Sequence, residues 1–270
     1  MKPVLKAHAL PELSKAPASP RGTHRVPDRP SVALVTGSAS GIGAGIARRL
    51  AADGMIVVVH SRATRDAGLQ IAAEIGGTYQ QADLADDIQC QALITSVIDE
   101  HRHLDVLVNN AGISWPIAHD DLSAVTASVW RQLLDVNLIA PWLLTSAALP
   151  ALRSSARPGG GAVINITSHA GVRPKGSSIP YAASKAALNH TTRLLAAALG
   201  PAVRVNAVAP GLVDTPMTAQ WADAQQLWRE RAPMGRAAQP EDVADLVSAL
   251  VASTYITGEV IVLDGGLNLR

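Results

Sequence analysis

The sequence predicts a single α/β domain built on a doubly wound parallel β-sheet with helices on both faces. From Ser31 onward, short runs of β-branched and apolar residues alternate with longer segments of helical periodicity. This alternation is typical of βαβ units and a parallel sheet. The chain has 270 residues, of which 48% are hydrophobic and 17% charged, so one domain can bury a sizeable core.

Seven apolar runs are predicted to be strands, and seven segments beside them are predicted to be helices. We expect the strands in the spatial order 3-2-1-4-5-6-7 with right-handed crossovers. The predicted strands cover residues 32–36, 56–60, 78–82, 106–109, 162–167, 204–209 and 260–263. The predicted helices cover residues 42–53, 66–75, 87–102, 121–152, 180–199, 216–231 and 240–252.

Residues 1–30 differ from the rest of the chain and are predicted to form a flexible extension ahead of a domain spanning residues 31–270. They contain six prolines, several basic residues and no sustained apolar period. Because they lack an apolar core, they do not resemble a secretory signal. Their basic character leaves a transit peptide open, although Glu12, Asp28 and the prolines weigh against it. A mis-assigned start codon explains the segment equally well.

The composition argues against several classes of protein. A formal net charge of +1 provides no basic excess for nucleic acid or a membrane surface, and no apolar run reaches the length of a membrane span. The eight histidines form no HExxH motif, so no metal site is expected. The single cysteine, Cys90, is expected to be a small buried side chain, and the protein is expected to be cytoplasmic.

Three glycines, Gly37, Gly41 and Gly43, lie where the first predicted strand becomes a helix. Such a turn brings the backbone close to a pyrophosphate and directs the N–H groups of a helix N-terminus at the anion. The GxxxGxG spacing is a weak signal by itself, because glycines also simply end strands. Its position after the first strand of an alternating fold favours dinucleotide binding.

The residues after the second and third predicted strands indicate how the adenosine half would bind. An acidic residue after the second strand would repel a 2′-phosphate, but the sequence has Ser61 and then Arg62. A hydroxyl and a guanidinium suit a phosphate dianion, so NADP(H) is favoured over NAD(H). Against this, Arg62 is also explained as a solvated residue, and Ser40 stands where some NADP-binding proteins have a second basic residue. Asp83 can accept a hydrogen bond from adenine or cap the next helix, for which Asp86 is the better candidate.

A candidate site for proton transfer lies at the start of the helix predicted over residues 180–199. Tyr181 and Lys185 are four residues apart and share one face of that helix. A nearby ammonium favours the phenolate and lowers the pKa of a tyrosine. Ser168 follows the fifth strand, at the sheet edge where ligands bind, and its hydroxyl can hold a carbonyl oxygen that Tyr181 protonates. By chance, however, many helices contain such a Tyr–Lys pair, and Ser168 could simply cap the next turn.

Taken in order, these motifs resemble those of the short-chain dehydrogenase/reductase family in its single-domain branch. The resemblance covers residues 31–270 and implies a Rossmann-type domain. The segment from Pro233 through Ala244 to the C-terminus is similar to 3-oxoacyl-carrier-protein reductases. Further matching motifs are Asn109-Asn110-Ala111-Gly112, Asn137, Pro210-Gly211 with Thr215, and Asp264-Gly265-Gly266.

The resemblance implies a role for each matching residue. It implies that Tyr181 is the general acid/base and that Lys185 lowers its pKa and binds the nicotinamide ribose. Ser168 would orient the substrate, and Asn137 would hold a water in a proton relay, unless Asn137 only satisfies the backbone of a helix kink. The implied cofactor-binding residues are Gly37, Ser40, Gly41, Ile42, Gly43, Ser61, Arg62, Asp83, Leu84, Asn109, Ala111, Gly112, Tyr181, Lys185, Pro210, Gly211, Val213 and Thr215.

The substrate pocket is expected to be lined by variable segments near these motifs. Its tryptophans would form an apolar lid, but packing in the core or at a subunit interface explains tryptophan equally well, above all at Trp228. The expected pocket residues are Trp115, His169, Ala170, Met217 and Trp221.

The expected activity is the NADP(H)-dependent reduction of a small-molecule ketone to a secondary alcohol, with Tyr181 as general acid. An NAD-linked alcohol dehydrogenase, a C=N or C=C reductase on the same scaffold, and a non-enzymatic nucleotide sensor are the alternatives. Family members are commonly tetramers, so a homotetramer is expected, with no nucleic-acid or membrane partner.

Overall fold

A computed structural model describes residues 29–269, and the predicted extension lies almost entirely outside this range. The strands are β1 (Val32–Val35), β2 (Ile56–Ser61), β3 (Thr78–Gln81), β4 (Val106–Asn109), β5 (Gly161–Ile166), β6 (Val203–Pro210) and β7 (Val260–Leu263). They form one parallel sheet in the order β3-β2-β1-β4-β5-β6-β7. The predicted fold and strand order are confirmed.

The α-helices of the described residues flank both faces of this sheet. They are α1 (Gly41–Ala52), α2 (Arg65–Glu74), α3 (Asp87–His101), α4 (Ala127–Leu134), α5 (Ala140–Arg153), α6 (Ile179–Leu199), α7 (Ala222–Arg231) and α8 (Pro240–Ala252). One core packs α1, α2 and α8 against the sheet, and the other packs α3, α5 and α6 against its opposite face. Within β1, Ala33 and Val35 enter the first core while Val32 and Leu34 enter the second. Burial on both faces explains why the strands are continuous apolar runs.

The helix predicted over residues 121–152 is wrong in detail, because the structure breaks it into several pieces. A 3-10 turn at Leu122–Ala124 is capped by Asp121, and α4 starts separately behind its own cap, Thr126. A π-helical segment, Asp135–Ile139, then joins α4 to α5. π-Segments of this kind occur often at functional sites, and this one contains Asn137.

The helix predicted over residues 216–231 starts later than expected, at Ala222. The Thr218 hydroxyl bonds to the backbone oxygen of Val213 and accepts from the backbone nitrogen of Thr215. These side-chain bonds hold the preceding residues in turns, because they compete with the hydrogen bonds of a helix.

The helical run Ala127–Arg153 is long and apolar enough, by length and composition, to cross a membrane. The expectation that no run reaches that length is therefore wrong. Leu133, Leu144 and Leu152 on this run are fully buried in the protein. Packing against the sheet and neighbouring helices thus accounts for its apolar character.

Cys90 lies in α3 with its side chain fully buried, as expected. Burial raises the pKa of its thiol to about 11. The thiol therefore stays protonated near neutral pH, where the thiolate would be the reactive form.

Candidate active site

A cavity of about 430 Å³ opens at the edge of the sheet where the carboxyl ends of the strands lie. Its volume lies within the range of small-molecule sites, and open parallel sheets bind ligands at this edge. The predicted site residues on its wall are Gly37, Ser40, Gly41, Ile42, Gly43, Ser61, Arg62, Asp83, Leu84, Ala111, Gly112, Tyr181, Lys185, Thr215 and Met217.

The glycine-rich turn has the shape that a pyrophosphate requires. Gly37 has a φ of +63° and Gly41 of +54°, both in the left-handed region. At Gly43, an added Cβ would lie 2.3 Å from the backbone oxygen of Gly37. The helix α1 begins behind Ser40, whose side chain makes no capping hydrogen bond, and no acidic residue stands in its first turn. This helix N-terminus therefore fits an anion.

Asn110, which belongs to the Asn109–Gly112 motif but had no role assigned to it, holds this turn. Its Nδ2 donates to the backbone oxygens of Thr36, at 2.8 Å, and Gly37, at 3.1 Å. Asn109, which was predicted to line the site, instead points into the protein and donates to Asn165 Oδ1 at 2.9 Å. Neighbouring residues at a strand end point in opposite directions, so Asn110 rather than Asn109 has its side chain toward the turn, and a cofactor contact of Asn109 stays a prediction.

On the adenosine side, Ser61 and Arg62 lie where the sequence predicts them. The Ser61 hydroxyl is 2.9 Å from the Tyr79 hydroxyl, and Arg62 is exposed on the cavity rim. Asp83 is the one carboxylate on the wall among the described residues. Its Oδ1 accepts from the backbone nitrogen of Ala85, whereas Asp86 caps α3, as the sequence suggested.

The Tyr–Lys pair and Ser168 come together at the start of α6. Ser178 caps this helix, and its hydroxyl accepts from the backbone nitrogen of Tyr181. The Ser168 side chain lies close enough to the Tyr181 phenol to lower its pKa. Lys185 Nζ lies 6.0 Å from the centre of the Tyr181 ring and donates to the backbone oxygen of Ile166 at 3.0 Å.

Burial dominates the ionisation of both groups. It raises the pKa of the Tyr181 phenol, and the Ser168 side chain opposes this effect only in part. It lowers the pKa of the Lys185 ammonium to about 8. Lys185 was expected to lower the pKa of Tyr181, but in the protein without cofactor that pKa is raised. Desolvation disfavours both the Tyr181 phenolate and the Lys185 ammonium.

Asn137 lies in the π-helical segment and ties two parts of the site together. Its Oδ1 accepts from the backbone nitrogen of Ile113 at 2.9 Å, and its Nδ2 donates to the Ile113 oxygen and to Ser184 Oγ. Gly112 fits closely beside it, because an added Cβ would lie 3.2 Å from Asn137 Oδ1 and 3.3 Å from Lys185 Nζ. The amide thus stands in a helix distortion, as the plainer interpretation predicted, and it also borders Lys185.

Several predicted residues lie off the cavity wall. His169 is buried and bonds to Asn268 Oδ1 at 2.9 Å, and Ala170 is buried beside it. Trp221 packs with the Trp228 cluster, and Trp115 is 45% exposed. Of the five predicted substrate residues, Met217 thus lies on the wall of this cavity, and substrate contacts of the other four stay predictions.

Three predicted cofactor residues also lie behind the wall. Val213 is buried in the core and bridges to Ala238, and Gly211 packs against Trp228 and Asp264. Pro210 ends β6, where it pairs with Leu263. Within residues 29–269, no group of three histidine, cysteine, aspartate or glutamate side chains is placed to hold a metal ion.

The sheet order, the open N-terminus of α1 and the Tyr–Lys pair on one wall are those of a dinucleotide-dependent oxidoreductase. A family model described as Enoyl-(Acyl carrier protein) reductase matches residues 37–268. The chain belongs to the short-chain dehydrogenase/reductase family, which uses a nicotinamide cofactor.

Curated relatives cover nearly the whole chain. A protein of the Streptomyces violaceoruber granaticin polyketide synthase, named as ketoacyl reductase 2, is 48% identical over 90% of this chain and 98% of its own. The cis-4-hydroxycyclohexanecarboxylate dehydrogenase of Sinomonas cyclohexanicum is 37% identical over 87% of this chain and 95% of its own.

Solved structures show the same fold. A Burkholderia xenovorans protein described as a short-chain dehydrogenase/reductase has a TM-score of 0.83 and 36% identity, over 89% of this chain and 99% of its own. A blue fluorescent protein from a metagenomic library, in complex with NADPH, has a TM-score of 0.79 and 33% identity, over 88% and 97%. The likeness therefore extends over the whole described domain.

Proposed function

We propose that this protein reduces a ketone to a secondary alcohol with NADP(H) as its cofactor. The observation that carries the proposal is the Tyr181–Lys185 pair on the wall of the cavity that begins at the glycine-rich turn, with the Ser168 side chain beside the Tyr181 phenol. The names of the two curated relatives, a ketoacyl reductase and a hydroxy-acid dehydrogenase, support chemistry at a keto or hydroxyl group.

The residues at the start of α6 have distinct tasks in this reaction. A bound nicotinamide supplies the hydride. Ser168 holds the carbonyl oxygen by a hydrogen bond, and Tyr181 donates its phenolic proton to that oxygen. Since burial raises the pKa of Tyr181, the phenol remains protonated and ready to act as an acid at neutral pH.

Lys185 stabilises the phenolate that Tyr181 becomes. With a pKa of about 8, its ammonium is largely protonated at neutral pH. Asn137 fixes the backbone of Ile113 against α6 and so keeps Gly112 packed beside Lys185 Nζ. In the alcohol-oxidising direction the same residues act in reverse, with Tyr181 as the base.

The preference for NADP(H) is supported by the charge of the adenosine side. Ser61, Arg62 and Thr64 line the wall after β2, and the one wall carboxylate among the described residues, Asp83, comes after β3 instead. A guanidinium grips a phosphate through paired, charge-assisted hydrogen bonds. The NADPH complex of a structural relative is consistent with this preference.

Replacing Arg62 by alanine is expected to lower the preference for NADPH over NADH by roughly 10- to 100-fold, the loss of one charge-assisted hydrogen-bonding partner. The measurement is kcat/KM with each cofactor, and NADH values should change little. Arg153, exposed at the end of α5, provides the control variant Arg153→Ala. A tenfold preference of the wild type for NADH would contradict the cofactor proposal.

The substrate is proposed to be uncharged next to the reacting carbonyl. The loop after β4, the π-helical segment and the segment after β6 contribute no charged side chain to the wall. Their wall residues are Asn110, Ala111, Gly112, Ile113, Ser114, Val136, Thr215, Pro216 and Met217. Such a surface favours apolar substrates with few polar groups.

A substrate panel that follows NADPH absorbance tests the activity. It contains cyclic ketones, β-keto esters and thioesters, aldehydes, imines and activated alkenes, with the matching alcohols and NADP⁺ in the reverse direction. Turnover of ketones above all other classes supports the proposal. Turnover of imines or alkenes alone would favour the alternative reductase, and alcohol oxidation with NAD⁺ alone would favour an NAD-linked dehydrogenase.

We propose that the protein assembles as a homotetramer through α5 and α6. Trp142 on α5 is 50% exposed, Leu194 on α6 is 58% exposed, and Ile139, the residue before α5, is 40% exposed. Large exposed apolar side chains grouped on a surface indicate an interface. Light scattering of the purified protein should give four times the chain mass, and a monomer would contradict the proposal.

A further inference from the structure

His60, near the end of β2, lies on the cavity wall, yet no step of the proposed reaction uses it. The residue is 1% exposed. Its Nδ1 is 3.1 Å from the backbone nitrogen of Gly37, and its Nε2 is 3.1 Å from the backbone oxygen of Ala82. One ring therefore bridges the glycine-rich turn after β1 and the residue just before Asp83.

The two hydrogen bonds define the protonation state of the ring. Gly37 N–H can only donate, so Nδ1 must accept, and Nε2 must carry the hydrogen that it donates to Ala82. Burial lowers the pKa of His60 to about 4, although the nearby Asp83 carboxylate opposes this effect. The ring is therefore neutral at physiological pH and keeps both bonds.

The backbone of His60 is fixed to the same turn. It donates to Ser38 Oγ at 2.9 Å and accepts from the Ser38 backbone nitrogen at 2.8 Å. The backbone bonds therefore fix the position of His60, and the two ring bonds fix the orientation of its side chain. A residue without ring nitrogens would leave the Gly37 N–H and the Ala82 carbonyl without these partners. Because a buried polar group without a hydrogen bond is costly, the two segments would rearrange locally.

We propose that His60 is a positioning residue that holds the glycine-rich turn and the Asp83–Leu84 segment at the separation required by the adenosine half of the cofactor. It is placed to act on cofactor affinity rather than on turnover. The proposal rests on the nicotinamide cofactor of the family but not on the NADP(H) preference. Since His60 acts through the turn, its loss should weaken ligands with and without a 2′-phosphate equally.

The test compares two replacements by calorimetric titration of the cofactor-free protein with ADP and with 2′,5′-ADP. His60→Leu removes both hydrogen bonds, whereas His60→Gln keeps an acceptor and a donor on one amide. Loss of two hydrogen bonds should raise the Kd of both ligands roughly 10- to 30-fold in the leucine variant. The glutamine variant should recover most of this affinity, and kcat at saturating cofactor should stay within about twofold of the wild type.

A matched control is His169→Leu, which removes the hydrogen bond of another buried histidine away from the cavity wall. Its Kd for both ligands should equal that of the wild type. A His60→Leu variant that melts earlier but binds both ligands normally would overturn the proposal and leave His60 a purely structural residue. A change in the ratio of the two Kd values, with no parallel loss, would also overturn it.

If the leucine variant does not fold, ring ¹⁵N chemical shifts of histidine-labelled wild type decide the matter together with His60→Gln. The His60 ring should show hydrogen on Nε2, no titration between pH 5 and 8, and a shift at Nδ1 when ADP is added. A ring that titrates near the ordinary histidine pKa, or that ADP leaves unchanged, would overturn the proposal.

Discussion

Replacing Tyr181 by phenylalanine is expected to lower kcat by roughly 10²- to 10⁴-fold, the usual contribution of a positioned general acid. The change removes one oxygen atom and leaves the ring that packs at the start of α6. It deletes the proton that the carbonyl oxygen receives and the hydroxyl that faces the Ser168 side chain. Cofactor affinity should stay within a few-fold of the wild type, because the glycine-rich turn and Ser61–Arg62 are untouched.

The measurement combines steady-state kcat with a fluorescence titration of NADPH binding. Tyr255 is 95% exposed, so Tyr255→Phe is a control that makes the same chemical change outside the cavity. Its kcat should equal that of the wild type. A Tyr181→Phe variant that keeps more than a tenth of wild-type turnover would show that another group donates the proton.

The sheet could be predicted from sequence because its strands are buried on both faces. Each therefore appears as a continuous apolar run, and helical segments separate these runs. The break at Asp135–Ile139 could not be predicted in this way. Every residue there is compatible with a helix, and the distortion accompanies the bonds of Asn137 to Ile113, a residue far away in the sequence.

The glycine-rich turn of the candidate site could be predicted from the sequence, whereas the side-chain directions after Ser168 could not. Gly37 and Gly43 occur at spacings that backbone geometry dictates, and the structure places both on the wall. His169 was assigned to the pocket because it follows Ser168, but its ring bonds to Asn268 near the C-terminus. The roles of Asn110 and His60 could not be predicted, since their side chains bond to backbone atoms of segments far away in the sequence.

Lys185 supports a second prediction, in which the proposed activity and stability change in opposite directions. The residue is 4% exposed, and its Nζ donates to a neutral backbone oxygen, that of Ile166. Because its cation is buried, the pKa falls from an ordinary 10.5 to about 8. We expect Lys185→Met to lose turnover by at least roughly 10²-fold, the scale of proton-transfer catalysis, and to be no less stable than the wild type at pH 7.

The sign of the pH dependence follows from the depressed pKa. Between pH 8 and pH 10.5 the unfolded chain keeps a proton on Lys185 that the folded chain releases, so stability rises with pH in this window. Below pH 8 the buried Lys185 cation lowers the free energy of unfolding by its full amount, on the order of 3 kcal/mol at 1.36 kcal/mol per pH unit. The raised pKa of Tyr181 acts in the opposite direction above pH 10, which leaves pH 8–10 as the useful range.

Urea unfolding of the cofactor-free protein at pH 7, 8, 9 and 10 measures the effect as a difference between variant and wild type. Lys185→Met should lose the rise in unfolding free energy that the wild type shows from pH 8 to 10. Lys175→Met, which removes an exposed lysine, should follow the wild-type profile. Parallel profiles for Lys185→Met and the wild type would contradict the prediction. The expected result means that the fold holds this charge beside Tyr181 at a cost in stability, which is typical of groups kept for chemistry rather than for packing.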